Sequence, residues 1–161
     1  MAIGDIQIYE PSVSMVQGAR KANVAAAATT ILPGEPVARA LGATTVTQMA
    51  TNKPVVATDF LIGIATSTST QTASVAGTVD YIPLMPGLTF LISPKVAATW
   101  DTQAEYDALV GKRVLLDLTT GVFTILASDG ATSGCVIQAL DISKYPGKVA
   151  FAFRNGVSDL T

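Results

Sequence analysis

Residues 60–93 read FLIGIATSTSTQTASVAGTVDYIPLMPGLTFLIS, and Asp80 is the only charged residue among them. Phe60 to Ala65 is a short apolar run, which suits a strand covered on both faces. Gly63 inside that run marks a bulge or a close backbone approach. Thr66 to Ser74 follows with hydroxyls and small side chains, none of which titrates near neutrality. Gly77 opens a second strand through Val79 and Tyr81. Pro83, Pro86 and Gly87 then mark a corner before Leu88 to Ile92, because proline has no N–H for a sheet ladder. The stretch is built for shape and packing and points to a mainly β fold.

Upstream, Pro33-Gly34-Glu35-Pro36 reads as a tight turn delivering Val37 to Leu41 into a sheet, with both prolines at strand ends or edges. Thr44 to Thr47 suits a strand with one solvated face, and Asn52-Lys53-Pro54 reads as a turn. Residues 1–28 are different. Ile6, Ile8 and Glu10 give only a brief alternation before Pro11, and Ala25 to Ala28 is featureless. The segment reads either as an extended N-terminal arm or as an ordinary first strand plus a loop.

Downstream, Thr102-Gln103-Ala104-Glu105 is a capping box for one short helix, with Tyr106, Leu109 and Val110 on one side and Gly111 as its stop. Arg113 to Leu118 and Val122 to Ala127 form a hairpin about Thr119-Thr120-Gly121. Cys135 to Leu140 is a further strand. In the last strand Val149, Phe151 and Phe153 alternate with Ala150, Ala152 and Arg154, a half-buried pattern. The expected architecture is a compact β-barrel or sandwich-like domain over residues 29–161, preceded by the arm at 1–28.

Composition narrows the function. Charged residues make up 14% of the chain, against about 25% in ordinary soluble domains. Part of the surface is therefore expected to be covered by other protein. The net charge of -2 argues against nucleic acid as a partner, which requires clustered cations. Arg20-Lys21 and Lys112-Arg113 read as isolated, solvated pairs. No apolar run reaches the roughly 20 residues that span a bilayer, and the N-terminus has no basic region leading into an apolar core. No membrane association is expected.

Reaction chemistry has little to work with. The chain has no histidine, which removes the commonest general base and metal ligand. The single cysteine, Cys135, lies in a strand-like setting without a basic neighbour and reads as a buried structural thiol. Asp117, Asp129 and Asp141 lack calcium-loop spacing and read as solvated turn or strand-end residues. Asp101 and Glu105 belong to the helix start. No catalytic residue, metal site or cofactor is expected, and the chain does not read as an enzyme.

Two phrases carry a resemblance. Phe60-Leu61-Ile62-Gly63-Ile64-Ala65, Ala76-Gly77-Thr78-Val79 and Pro86-Gly87-Leu88-Thr89-Phe90 form the first, and Ile31-Leu32-Pro33-Gly34-Glu35-Pro36-Val37 the second. Over roughly residues 30–154 the chain resembles capsid decoration (cement) proteins of tailed bacteriophages. The resemblance implies a β-rich virion protein on the capsid surface that clamps neighbouring copies of the major capsid protein. The low charge and high apolar fraction point to a homo-oligomer, and the resemblance favours a trimer. If the arm adds contacts, Ile6, Ile8, Tyr9, Pro11, Met15 and Val16 are the candidate capsid contacts. The other class open to the sequence is a glycan-binding or fibre module of a tail or cell surface. Such modules use exposed aromatics, whereas this chain is 6% aromatic with one tryptophan, Trp100.

Overall fold

A computed structural model describes residues 6–9, 20–85, 87–119 and 121–157. The apolar run at Phe60–Ala65 is strand β5, the middle of a five-stranded antiparallel sheet. The sheet order is β2 (Arg20–Val24), β6 (Gly77–Pro83), β5, β3 (Pro36–Arg39), β4 (Thr47–Gln48). Leu61 and Ile64 enter the main core, while Ala65 turns to a second cluster with Val24, Ile31, Val37, Val46 and Val79. A strand covered on both faces has no need of a polar side, which is why this run is apolar throughout.

Gly63 meets both readings made of it. Val37 pairs with Gly63 and Ala38 with Leu61, so Ile62 is the extra residue of a bulge. A Cβ on Gly63 would collide with the Ile82 carbonyl oxygen and stand 2.5 Å from Cδ2 of Tyr81. Bulges increase local twist, and this sheet curls into a half-barrel around the second cluster. A parallel bridge between Val24 and Val46 links its two edges, and the Val46 N–H donates to the Asn23 carbonyl at 2.8 Å.

After the corner at Gly87, which has φ 84°, the chain crosses to a second antiparallel sheet. Its order is β1 (Gln7–Tyr9), β7 (Thr89–Ile92), β12 (Val149–Phe153), β11 (Cys135–Ile137), β8 (Arg113–Val114). The expected hairpin is β9 (Leu116–Thr119) with β10 (Val122–Ile125), turning at Gly121 with φ 78°. The main core joins the convex side of the curled sheet to this second sheet and the hairpin. Phe90 lies 5.7 Å from Phe151 and 5.4 Å from Phe153, centroid to centroid.

Among the described residues the one α-helix, α1, is Gln103–Asp107, and both halves of its capping box form. Tyr106 is buried and points its hydroxyl into the end of the β11–β12 ladder. The hydroxyl accepts from the Ala150 N–H at 2.9 Å and donates to the Gln138 carbonyl at 2.9 Å. A single turn-and-a-half helix is thereby tied to the sheet by polar as well as apolar contact.

Three expectations change, and the two readings of residues 1–28, arm or first strand plus loop, are met only by the described parts. The described parts of residues 1–28 are extended but docked: β1 pairs with β7 and β2 pairs with β6. The brief alternation was enough because each strand completes an existing sheet edge. Leu41 is not in the sheet, since β3 ends at Arg39 and the chain turns, leaving Leu41 82% exposed. Val110 also faces outward, because the helix stops before reaching it. Ala150 is buried alongside Val149 and Phe151, since β12 sits mid-sheet with both faces covered.

Candidate interaction surface

The buried polar groups serve the fold. Glu35 is 1% exposed and its carboxylate accepts from the Leu32 N–H at 2.9 Å and the Gln48 side-chain amide at 2.8 Å. Burial pushes its pKa up from the ordinary value, partly opposed by those two donors. The Glu35 carbonyl also accepts from the Ala65 N–H, so the predicted turn is anchored to β5 through backbone and acid together. The hydroxyl-rich loop does similar work. The Ser69 hydroxyl accepts from the Ile31 N–H at 2.8 Å, the Ser67 hydroxyl from the Asp80 N–H at 2.9 Å, and the Thr70 hydroxyl from the Thr78 N–H at 2.9 Å. Those side chains satisfy backbone donors that no neighbouring strand reaches.

The three aspartates considered for calcium are separate. Asp117 is buried rather than solvated, held by Lys95 at 3.0 Å and by the Thr51 hydroxyl at 3.0 Å. Asp129 is exposed, and the Arg113 N–H with the Arg113 guanidinium holds its carboxyl below the ordinary range. Asp141 is likewise lowered, chiefly by the Ser143 hydroxyl. Among the described residues no group of three or more acidic, histidine or cysteine side chains is placed to hold a metal ion. Cys135 is fully buried in β11, and burial alone raises its thiol well above the ordinary value.

The candidate contacts fall into two groups. Ile6 is 5% exposed and part of the main core, so its apolar surface already has a partner within the chain. Ile8 and Tyr9 lie in β1, opposite Phe90 and Thr89. Pro11, Met15 and Val16 lie outside the described residues.

A groove absent from the sequence reading sits at the seam of the curled sheet. Its volume is about 400 Å³, and Arg20, Lys21, Arg39, Val46, Ile62 and Tyr81 are among its walls. Arg20 lies opposite Tyr81 and Tyr81 opposite Ala65, whereas Arg39 lies opposite Phe60, so the curl of the sheet rather than a shared register brings them onto one groove. Arg20-Lys21 is therefore not an isolated pair. Lys21 stands 3.8 Å from Asp80, with both side chains well exposed, a separation at which an ion pair contributes little. Arg20 has no acidic partner among the described residues. The other basic pair differs, since Arg113 is bound to Asp129. A separation of 18 residues between Lys21 and Arg39 hides the groove in sequence, because only the β2-β6-β5-β3 order brings them together.

No family model, curated protein or solved structure matches this chain.

Proposed function

We propose that this chain is a structural virion protein that binds the outer surface of a phage capsid and stabilises contacts between major capsid subunits. The observation that carries the reading is apolar surface on a weakly charged domain. Leu41 is 82% exposed, Val75 62% and Val96 58%, while only 14% of residues are charged. Scattered apolar side chains are ordinary on any surface, so it is the sparse charge around them that suits coverage by neighbouring protein. A two-sheet core whose loops are tied back by side-chain hydrogen bonds suits a part that bears load rather than one that turns over substrate. Self-association as a trimer belongs to the same reading.

A glycan-binding module draws less support. Trp100 is buried against Tyr106 with ring centroids 5.7 Å apart, and the described aromatic side chains are all buried or half-buried, so none among the described residues is a fully open stacking platform. The test is cosedimentation of the purified chain with phage heads that lack it, alongside a glycan array. The proposal expects saturable binding to heads and a silent array. Failure to bind heads, with clear array hits, would replace it with the module.

A further inference from the structure

The curl of the first sheet stays open along part of its length. Its edges are β2 on one side and the segment Thr44–Val46, leading into β4, on the other. They touch at the Val24–Val46 bridge. Beyond that bridge the edges stand apart, and the gap between them is the basic groove of about 400 Å³. A cleft flanked by two outer strands of one sheet is a template for an added extended segment. The side chains lining the groove select which segment. Arg20, Lys21 and Arg39 set a cationic rim, Ile62 and Val46 an apolar floor, and the half-buried Tyr81 ring a flat wall. Leu41, just beyond β3, and Met85, just beyond β6, are exposed where those strands end.

We propose that this open seam docks an extended, acidic segment of a protein partner. Carboxylates of the segment meet Arg20 and Lys21, and apolar side chains between them meet the floor and the flanking Leu41 and Met85. Arginine suits this role because its planar fork binds carboxylates in two-pronged fashion. A polynucleotide fits less well. It needs a long cationic track, and the chain as a whole carries a net charge of -2, which repels a polyanion outside the groove. The inference rests on the reading that the chain works by docking onto other protein, and it names where and with what chemistry.

The test uses the full chain and a fluorescein-labelled octapeptide of alternating Glu and Ala, read by anisotropy. Controls are the same peptide with Gln for Glu and an oligothymidylate of equal length. The Glu peptide should bind at least about tenfold more tightly than the Gln peptide and weaken as NaCl rises from about 50 to about 300 mM. Because Arg20 and Lys21 are exposed, R20A/K21A should stay folded while losing at least about tenfold in affinity. K112A, a cation outside the groove, should bind as the unaltered chain does. Equal binding of Glu and Gln peptides, or an R20A/K21A chain that binds undiminished, overturns the proposal. Oligothymidylate bound as tightly as the Glu peptide overturns it in favour of phosphate. Heads supply an independent arm: a chain that binds heads but not the Glu peptide leaves the capsid reading standing and removes this site.

Discussion

At the scale of single residues, two positions hold the curled sheet in shape. Gly63 sits beside the bulge, with the Ile82 carbonyl and the Tyr81 ring where a side chain would go. Both neighbours belong to a paired strand and cannot move aside cheaply. Gly63→Ala should therefore destabilise the chain by about 1–3 kcal/mol in urea unfolding; an unchanged midpoint would contradict the close approach. Glu35 is the second. Its folded-state pKa is raised above 4.5 by burial, so the folded chain favours the protonated acid. Its contribution to stability is full below the unfolded pKa and is lost as pH rises through the folded one. Glu35→Gln cannot ionise but keeps an oxygen for the Leu32 N–H. The variant should gain stability relative to the unaltered chain between about pH 4 and about pH 7. Urea unfolding of both at each pH reads the gap directly, and comparison within each pH cancels the exposed Asp129 and Asp141. A gap that is constant, or that runs the other way, would show that Glu35 is not desolvated as described.

Elements come next. The strands most legible in sequence were those whose pattern follows from their own coverage: β5, apolar because it is central, and the β9–β10 hairpin, with a glycine at its turn. The helix was legible through its capping box, a local signal that needs no tertiary context. β2 was not, and β1 was only one of two readings, because a short edge strand is specified largely by the partner it joins. Tyr106 shows the same limit at a finer grain. Its burial was expected, but its hydroxyl bonds to Ala150 and Gln138 depend on how α1 meets the β11–β12 ladder. Tyr106→Phe would leave a buried N–H and a carbonyl without that partner while keeping the ring. The expected loss is about 1–3 kcal/mol in thermal or urea unfolding. A loss within error would mean that water or a backbone shift replaces the hydroxyl at no cost.

For the whole molecule, the mainly β class with one short helix follows from the sequence, whereas the division into a curled sheet and a second sheet does not. The division depends on the corner near Gly87 carrying the chain from β6 to β7, and no local signal says that a corner changes sheets. The groove was hidden because Lys21 and Arg39 come to line it only through the β2-β6-β5-β3 order of the curled sheet. The absence of histidine and the sparse charge are properties of the whole chain and were visible at once. They frame the central claim, that the chain reinforces a protein shell by covering its subunit contacts. The most direct measurement is the temperature at which packaged DNA is released from phage heads lacking the chain, followed with a DNA-binding dye, before and after the purified chain is added to saturation. The account predicts a release temperature that climbs with bound chain and levels off when the sites are full. Heads that bind the chain to saturation yet release DNA at an unaltered temperature would contradict it.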